Sequence, residues 1–261
     1  MMQSSRLSQQ IPISFNELDV CSPELASIIS YPPSSVREYT NRLKEICSLG
    51  ITHVLPTGRI KIGKMAIAGK GSVSIVLKVK TESKIHALKI RRTDANRETM
   101  RREVSLHKIA NSVDVGPKLS RFSKNLIVME FIEGLSILDW VKQQNITADE
   151  VRKIAISILE QCYNLDKAHI DHGELSCINH HIIISKSNTA NIIDFESSST
   201  QRKSCNVTAA AQSLFISEGL IANRMNELLG SDKKEKIIQI LKAYKRSQNR
   251  ANFDKIIDTF C

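Results

Sequence analysis

Four short segments, met in a fixed order, constrain this chain more than its composition does. They are Gly69-Lys70-Gly71 between two strand-like runs, Lys89 inside an apolar strand, His172-Gly173-Glu174-Leu175 after a long amphipathic run, and Ile193-Asp194-Phe195-Glu196 at the end of a second strand pair. Each alone has an ordinary structural explanation. In this order they supply what phosphoryl transfer needs: a backbone cradle for phosphates, a cation on them, a carboxylate to orient an acceptor hydroxyl and a second carboxylate for a metal ion.

The chain has 261 residues, 41% of them hydrophobic, enough for one sizeable core or two closely joined lobes. No stretch approaches the roughly 20 unbroken apolar residues of a membrane span, and the first residues lack a signal-peptide core, so a soluble, cytoplasmic protein is expected. The six cysteines are dispersed, without zinc or redox spacing, and read as reduced thiols in or near the core. A formal charge of +10 favours acidic partners such as nucleotide phosphates, RNA, ribosomes or acidic proteins. A generally basic, solvated surface accounts for the charge equally well, and an aromatic content of 5% argues against a dedicated nucleic-acid reader.

Periodicity divides the chain into an N-terminal helical extension (1–56), a small strand-rich lobe (57–133) and a larger helical lobe (134–261). Residues 1–32 read as partly disordered with a short helix at 22–30. An amphipathic helix from Pro33 places Val36, Tyr39, Leu43, Ile46 and Cys47 on one face and ends at Gly50. Strands are predicted at 60–62, 65–67, 73–79, 85–90, 118–122 and 126–131, and a helix at 96–110 with Met100, Glu103, Val104 and His107 on its inner face. Thr147 and Glu150 form a capping box opening a long helix whose inner side is Val151, Ile154, Ala155, Ile158, Leu159, Cys162 and Leu165. A short helix capped by Ser136 precedes it. A hairpin (181–185 with 190–193) and helices at 207–229, 233–245 and 253–260 complete the chain.

In the small lobe, Gly69-Lys70-Gly71-Ser72 and the following strand to Val76 form a glycine turn whose N–H groups can approach phosphates, with Ser74 where a third glycine would stand. Ala87 and Lys89 share a strand face, the alanine flooring an adenine slot and the lysine pointing toward phosphates. An edge-strand lysine in water is the competing explanation. If the lysine is buried it needs an anion, and Glu103 is the natural partner, with Glu98 in reserve. Met129, Glu130 and Ile132 end a strand where backbone groups would meet the adenine edge; a plain core strand fits them too.

Glu174, in a short loop after the long helix, can orient a hydroxyl and take its proton. His-Gly-Glu-Leu resembles the catalytic loop of the protein-kinase-like superfamily, closest to the His-Gly-Asp-Leu form of RIO and related archaeal atypical kinases. The runs 171–176, 192–197 and Asn206-Val207-Thr208 resemble a predicted archaeal serine/threonine protein kinase family over nearly the whole chain from Tyr31. The resemblance implies an α+β, two-lobed kinase-like fold using ATP with Mg²⁺ or Mn²⁺. It implies Glu174 in place of the catalytic aspartate, Asp194 as metal ligand, and Lys89 with Glu103 as the phosphate-positioning ion pair. The second metal ligand is Asn179 when counted from Glu174, or His181 when the strand 182–184 is aligned; the amide oxygen suits hard Mg²⁺ better.

Two residues depart from the kinase pattern. Glu174 is one methylene longer than aspartate, and Glu196 replaces a glycine, where it is free to be a metal contact, a partner of Arg202 or a solvated charge. No Ala-Pro-Glu segment follows, so a full peptide-docking segment is absent. Ser197, Ser198, Ser199, Thr200 and Ser204 are conceivable autophosphorylation positions. The expected activity is transfer of the ATP γ-phosphoryl group to a serine or threonine hydroxyl of a protein. A nucleotide-binding pseudokinase scaffold and a small-molecule kinase of the same fold are the competitors.

Overall fold

The computed structural model describes residues 13–14, 23–82, 84–230 and 234–259. The expectations for most of residues 1–22, Cys21 included, and for Cys261 lie outside the described residues. The described residues form two compact units, one drawn from 1–101 and 119–131, the other from 102–118 and 132–261.

The first unit holds β1 (Ile13–Ser14), α1 (Pro23–Ile29), α2 (Val36–Ser48), β2 (His53–Leu55), β3 (Ile60–Ile62), β4 (Met65–Ile67), β5 (Gly69–Lys70), β6 (Ser74–Lys80), β7 (Ile85–Arg91), β8 (Leu119–Phe122) and β9 (Leu126–Glu130). Its antiparallel sheet runs β1-β2-β6-β7-β9-β8, with β5 also on β6 and β3-β4 a separate hairpin. Strand alternation sends Ile75, Leu77, Val79, Leu88, Ile90, Leu126 and Val128 to one face, where they meet Ile28, Ile29, Tyr39 and Ile46 of the two helices. Each such aliphatic side chain contributes about 1.5–3 kcal/mol on burial.

Helix α2 is present, capped by Ser35 and followed by Gly50 at φ +70°. Its inner face differs from the expected one: Val36 is 79% exposed and Cys47 is exposed, while Arg42 is fully buried. The Arg42 guanidinium donates to Glu38 Oε1 (2.9 Å) and to the Arg91 carbonyl (2.5 Å). Burial, as the largest influence, holds its pKa below the usual arginine value. Glu45 accepts from the Ser123 hydroxyl and from Asn125 N (3.0 Å) and Nδ2 (2.6 Å). Polar side chains thus fasten this helix to the ends of β7, β8 and β9, which hydrophobic periodicity does not register.

The second unit holds α3 (Arg101–Ser112), β10 (Gly134–Ser136), α4 (Ile137–Trp140), α5 (Ala148–Lys167), β11 (Ile182–Ser185), β12 (Ala190–Ile192), α6 (Asn206–Ala211), α7 (Leu220–Leu229), α8 (Lys234–Arg246) and α9 (Arg250–Ile257). Helix α3 begins five residues later than periodicity predicts. The Met100 N–H is taken by the Lys124 carbonyl (2.8 Å) and the Arg97 carbonyl by the Arg91 guanidinium (3.0 Å), so the preceding backbone is not free to wind. The capping box of α5 forms, and every inner residue named for that helix is buried.

Strand β10 was not anticipated. It pairs Gly134 with Ser185 of β11, and a Cβ at Gly134 would lie 2.0 Å from the Ile184 carbonyl oxygen, so only glycine permits the approach. The single helix predicted for 207–229 is broken: α6 runs into a π-helical turn (Gln212–Ile216) closed by Ser217 N to Gln212 O (2.8 Å), and Gly219 at φ +158° precedes α7. Helix α9 begins earlier than expected because Asn249 caps it through Asn252 N (2.9 Å). Of the described cysteines, Cys162 alone is in the core. Cys205 is half-buried and Cys47 and Cys177 are exposed, against the expectation of buried thiols. No helix among the described residues is long and apolar enough to cross a membrane.

Candidate active site

In the first unit the site is a row across the sheet. Gly69 pairs with Val76, Val76 with Lys89, and Lys89 with Ile127. Opposed residues share a face, so the glycine turn and the lysine stand on the same side, opposite the face that packs on α1 and α2. Two residues along β7, Ala87 pairs with Met129 and lies on that same face. Lys89 sits in a central strand and is 3% exposed, which rules out a solvated edge lysine. A buried ammonium demands an anion.

The turn is closed by Gly71 N to Ser74 O (2.8 Å). A Cβ added at Gly69 would meet only Val76 (3.7 Å), and one at Gly71 only the Ser74 carbonyl (3.6 Å), both ordinary contacts. The fold itself therefore does not require glycine at either position. Ser72 is exposed at the tip. Arg92, paired with Asp94 (2.7 Å), donates to the Gly71 carbonyl (2.9 Å), and the Tyr31 ring lies near both the Lys70 ammonium (4.9 Å) and the Arg92 guanidinium (5.3 Å). Glu130 ends β9, and Ile132 is the first residue of the second unit's long segment.

In the second unit, the loop after α5 is tied down at Asp171 and His172. Asp171 exchanges backbone bonds with Ser199 (2.9 and 2.8 Å) and accepts from Arg202 Nε (2.6 Å). His172 is fully buried; its N–H donates to Asn206 Oδ1 (2.9 Å) and its Nε2 to the Ile193 carbonyl (3.0 Å). Gly173 has φ +89°, and a Cβ there would lie 2.6 Å from the Arg202 guanidinium and 2.8 Å from the Ser197 carbonyl, so glycine is obligatory. Next comes Glu174, half-buried, with Oε2 3.6 Å from His181 Nε2. Asn179 lies in a single 3₁₀ turn (Ile178–His180) ended by His181.

The β11-β12 pairing continues through Ile193 N to His181 O (2.9 Å), which brings Asp194 beside the end of that turn. Asp194 has φ +71°. The Phe195 ring is buried against His107 of α3 (5.0 Å between centroids) and edge-on to His172 (5.5 Å). Arg202 binds Asp171 and the Ser197 carbonyl (2.6 Å). Three of the five proposed acceptor hydroxyls are buried. Ser198 donates to the His172 carbonyl (3.3 Å), Ser199 accepts from Gln201 N (3.1 Å), and Ser204 donates to the Asp166 carbonyl (3.3 Å), leaving Thr200 exposed and Ser197 half-buried.

Sequence reasoning missed Asp166, 3% exposed near the end of α5. It accepts from Asn206 N (2.9 Å), Asn206 Nδ2 (2.8 Å), Val207 N (3.2 Å) and Tyr244 Oη (3.0 Å). The signal was available as a carboxylate directly following Leu165 at the inner margin of a long amphipathic helix. Glu103 is likewise buried, on α3.

The family model of the RIO domain matches residues 64–208, more than half of the chain. The chain belongs to the RIO domain family. RIO domains are kinase-like and use ATP, generally with a divalent metal, and the α+β architecture seen here is of that kind. No curated protein matches the chain. The RIO match runs from the β3-β4 hairpin to α6, so it contains the glycine turn, Lys89, Glu103, Glu174, Asn179 and Asp194, whereas α1, α2 and α7 to α9 lie outside it.

Burial lowers the His172 pKa to about 4, whereas the unfolded chain has the ordinary value near 6.5. A depressed folded pKa means that the neutral ring's contribution is fully present above pH 6.5 and is lost as pH falls toward 4. The expected loss is about 3 kcal/mol of unfolding free energy in this RIO domain. Denaturant midpoints at pH 7.5, 5.5 and 4.5 measure it; a His172→Gln variant should show a flatter acid slope, and an equal slope would assign the acid loss to other groups.

Proposed function

We propose that this RIO domain transfers the γ-phosphoryl group of ATP to a serine or threonine hydroxyl, on itself or on a partner protein. The observation that carries the proposal is Lys89, buried mid-sheet on the same face as the glycine turn. A chain does not bury an ammonium there for packing alone. Because nothing in the fold demands glycine at 69 and 71, the bare backbone is best understood as room for phosphate oxygens.

The roles follow from donor chemistry. Gly69, Lys70, Gly71 and Ser72 would cradle phosphates, Lys89 would neutralise them, and Val76, Ala87, Met129 and Glu130 would line the base. Glu174 orients the acceptor hydroxyl and takes its proton. Among the described residues no group of three or more His, Cys, Asp or Glu is gathered to hold a metal ion. Asp194 and Asn179 fit the alternative of one carboxylate and one amide oxygen, hard donors suited to Mg²⁺ or Mn²⁺ that keeps phosphate and water in its shell. Such an ion, when bound, would neutralise charge developing on the phosphates.

A scaffold that binds nucleotide without turnover is the second reading, favoured by glutamate at 174 and 196. The basic α8, with five Lys or Arg residues from Lys234 to Arg246, fits acidic protein or RNA partners better than a small cationic acceptor. Purified protein incubated with γ-labelled ATP and Mg²⁺ or Mn²⁺ is expected to acquire label that survives acid and is released by base, as serine and threonine phosphates do, and to lose it with chelator. Thermal stabilisation by ATP without label would favour the scaffold. Neither label nor stabilisation at millimolar ATP would end both.

A further inference from the structure

Glu174 raises a geometric problem that the structure answers with a second residue. A glutamate at this position reaches further than an aspartate and has one more torsion to immobilise, and misplacement of a reacting group by an ångström costs on the order of 100-fold. His181 Nε2 lies 3.6 Å from the Glu174 Oε2. The imidazole is itself fixed: His181 N donates to the Ile178 carbonyl (3.0 Å), its carbonyl accepts from Ile193 N (2.9 Å), and its ring meets the anchored His172 ring edge-on at 5.7 Å.

His181 Nδ1 is buried with no hydrogen-bond partner among the described residues. The ring atom that faces a charged group is therefore Nε2, toward the Glu174 carboxylate. Of the two residues that sequence alignment left as rivals, His181 is the one that lies beside the Glu174 carboxylate.

We propose that His181 is a positioning residue for Glu174, holding the longer carboxylate where it can orient and deprotonate the acceptor hydroxyl. The proposal rests on the phosphotransfer role given to Glu174 above. His181→Ala is expected to lower kcat by ~30–100-fold, with the KM for ATP and the Mg²⁺ concentration for half-maximal rate within about threefold of wild type. His181→Gln, whose amide N–H can still donate, should recover most of that loss, and His180→Ala, at the exposed neighbouring histidine, should behave as wild type. An unchanged kcat in His181→Ala would overturn the proposal, as would a raised metal requirement, which would make His181 a metal ligand.

A readout independent of turnover separates this idea from the activity itself. In a ¹⁵N-histidine-labelled protein, Glu174→Gln should shift the His181 imidazole nitrogen resonances while leaving those of His180 in place. A wild type that never transfers phosphate would defeat the proposed function, yet the His181 resonances would still report the clamp. If they do not respond to Glu174→Gln, the clamp does not exist.

Discussion

Asp194→Asn is expected to reduce phosphoryl transfer by at least ~10³-fold while leaving the melting temperature within a few degrees of wild type. Asparagine is the informative replacement because Asp194 adopts φ +71°, a left-handed conformation that asparagine tolerates well and alanine does not. Alanine there adds about 1–2 kcal/mol of backbone strain, so a loss of activity in Asp194→Ala would mix chemistry with folding. Asparagine keeps the backbone, the size and an oxygen, and removes the negative charge that a divalent ion requires. Initial rates of label transfer beside melting curves for the two variants make the distinction. If Asp194→Asn retains transfer within tenfold of wild type, the metal carboxylate is elsewhere, and Glu196, two residues on, is the next candidate to replace.

How much of this was legible in the sequence depends on the kind of force involved. Strands β3, β4 and β6 to β9 of the first unit, the capping box of α5 and its inner face were readable because each is set by local pattern: alternation, an Asp/Glu-rich first turn, apolar residues at helical spacing; β1 and β2, too short to show a period, fell in what reads as a helical extension. The order of Gly69, Lys89, Glu174 and Asp194 was readable because chemistry fixes residue types. What sequence could not supply was the cross-strand row joining Gly69, Val76 and Lys89, since register is a property of pairs.

Buried polar contacts were the main loss. Arg42 and Glu45 look like solvated helix residues, yet they bind the Arg91 carbonyl and Asn125 across long sequence distances. Ser198, Ser199 and Ser204 look like an exposed serine run, yet each hydroxyl is bound to a backbone group, of His172, Gln201 and Asp166 respectively. The break at 212–219 was missed for a related reason. Apolar periodicity runs on through it, while the π-turn is stabilised by a distant bond, Ser213 Oγ to the Ser176 carbonyl (2.6 Å).

Asp166→Ala is expected to lower the unfolding free energy by about 3–5 kcal/mol, among the largest effects available to a single substitution in this protein. The carboxylate is 3% exposed and accepts from four donors on two other elements, Asn206 and Val207 of α6 and Tyr244 of α8. Deleting it leaves those donors buried and without an acceptor, which costs more than the bonds themselves. Tyr244→Phe removes one donor and leaves the carboxylate three, so about 1–2 kcal/mol is expected there. The damage should also reach the loop. Asn206, once released by Asp166, no longer has a fixed amide to hold the Ile170 carbonyl (2.6 Å) and the His172 N–H (2.9 Å), and these two contacts set the entry to Glu174. Burial raises the Asp166 pKa above the ordinary carboxylate value, the opposite direction to His172, so its own titration removes stability as pH rises through that raised value. Denaturant midpoints for Asp166→Ala and Tyr244→Phe at pH 7 test the ranking. A cost for Asp166→Ala below about 1 kcal/mol would mean that the four donors find water, and that α5 does not hold the loop through this carboxylate.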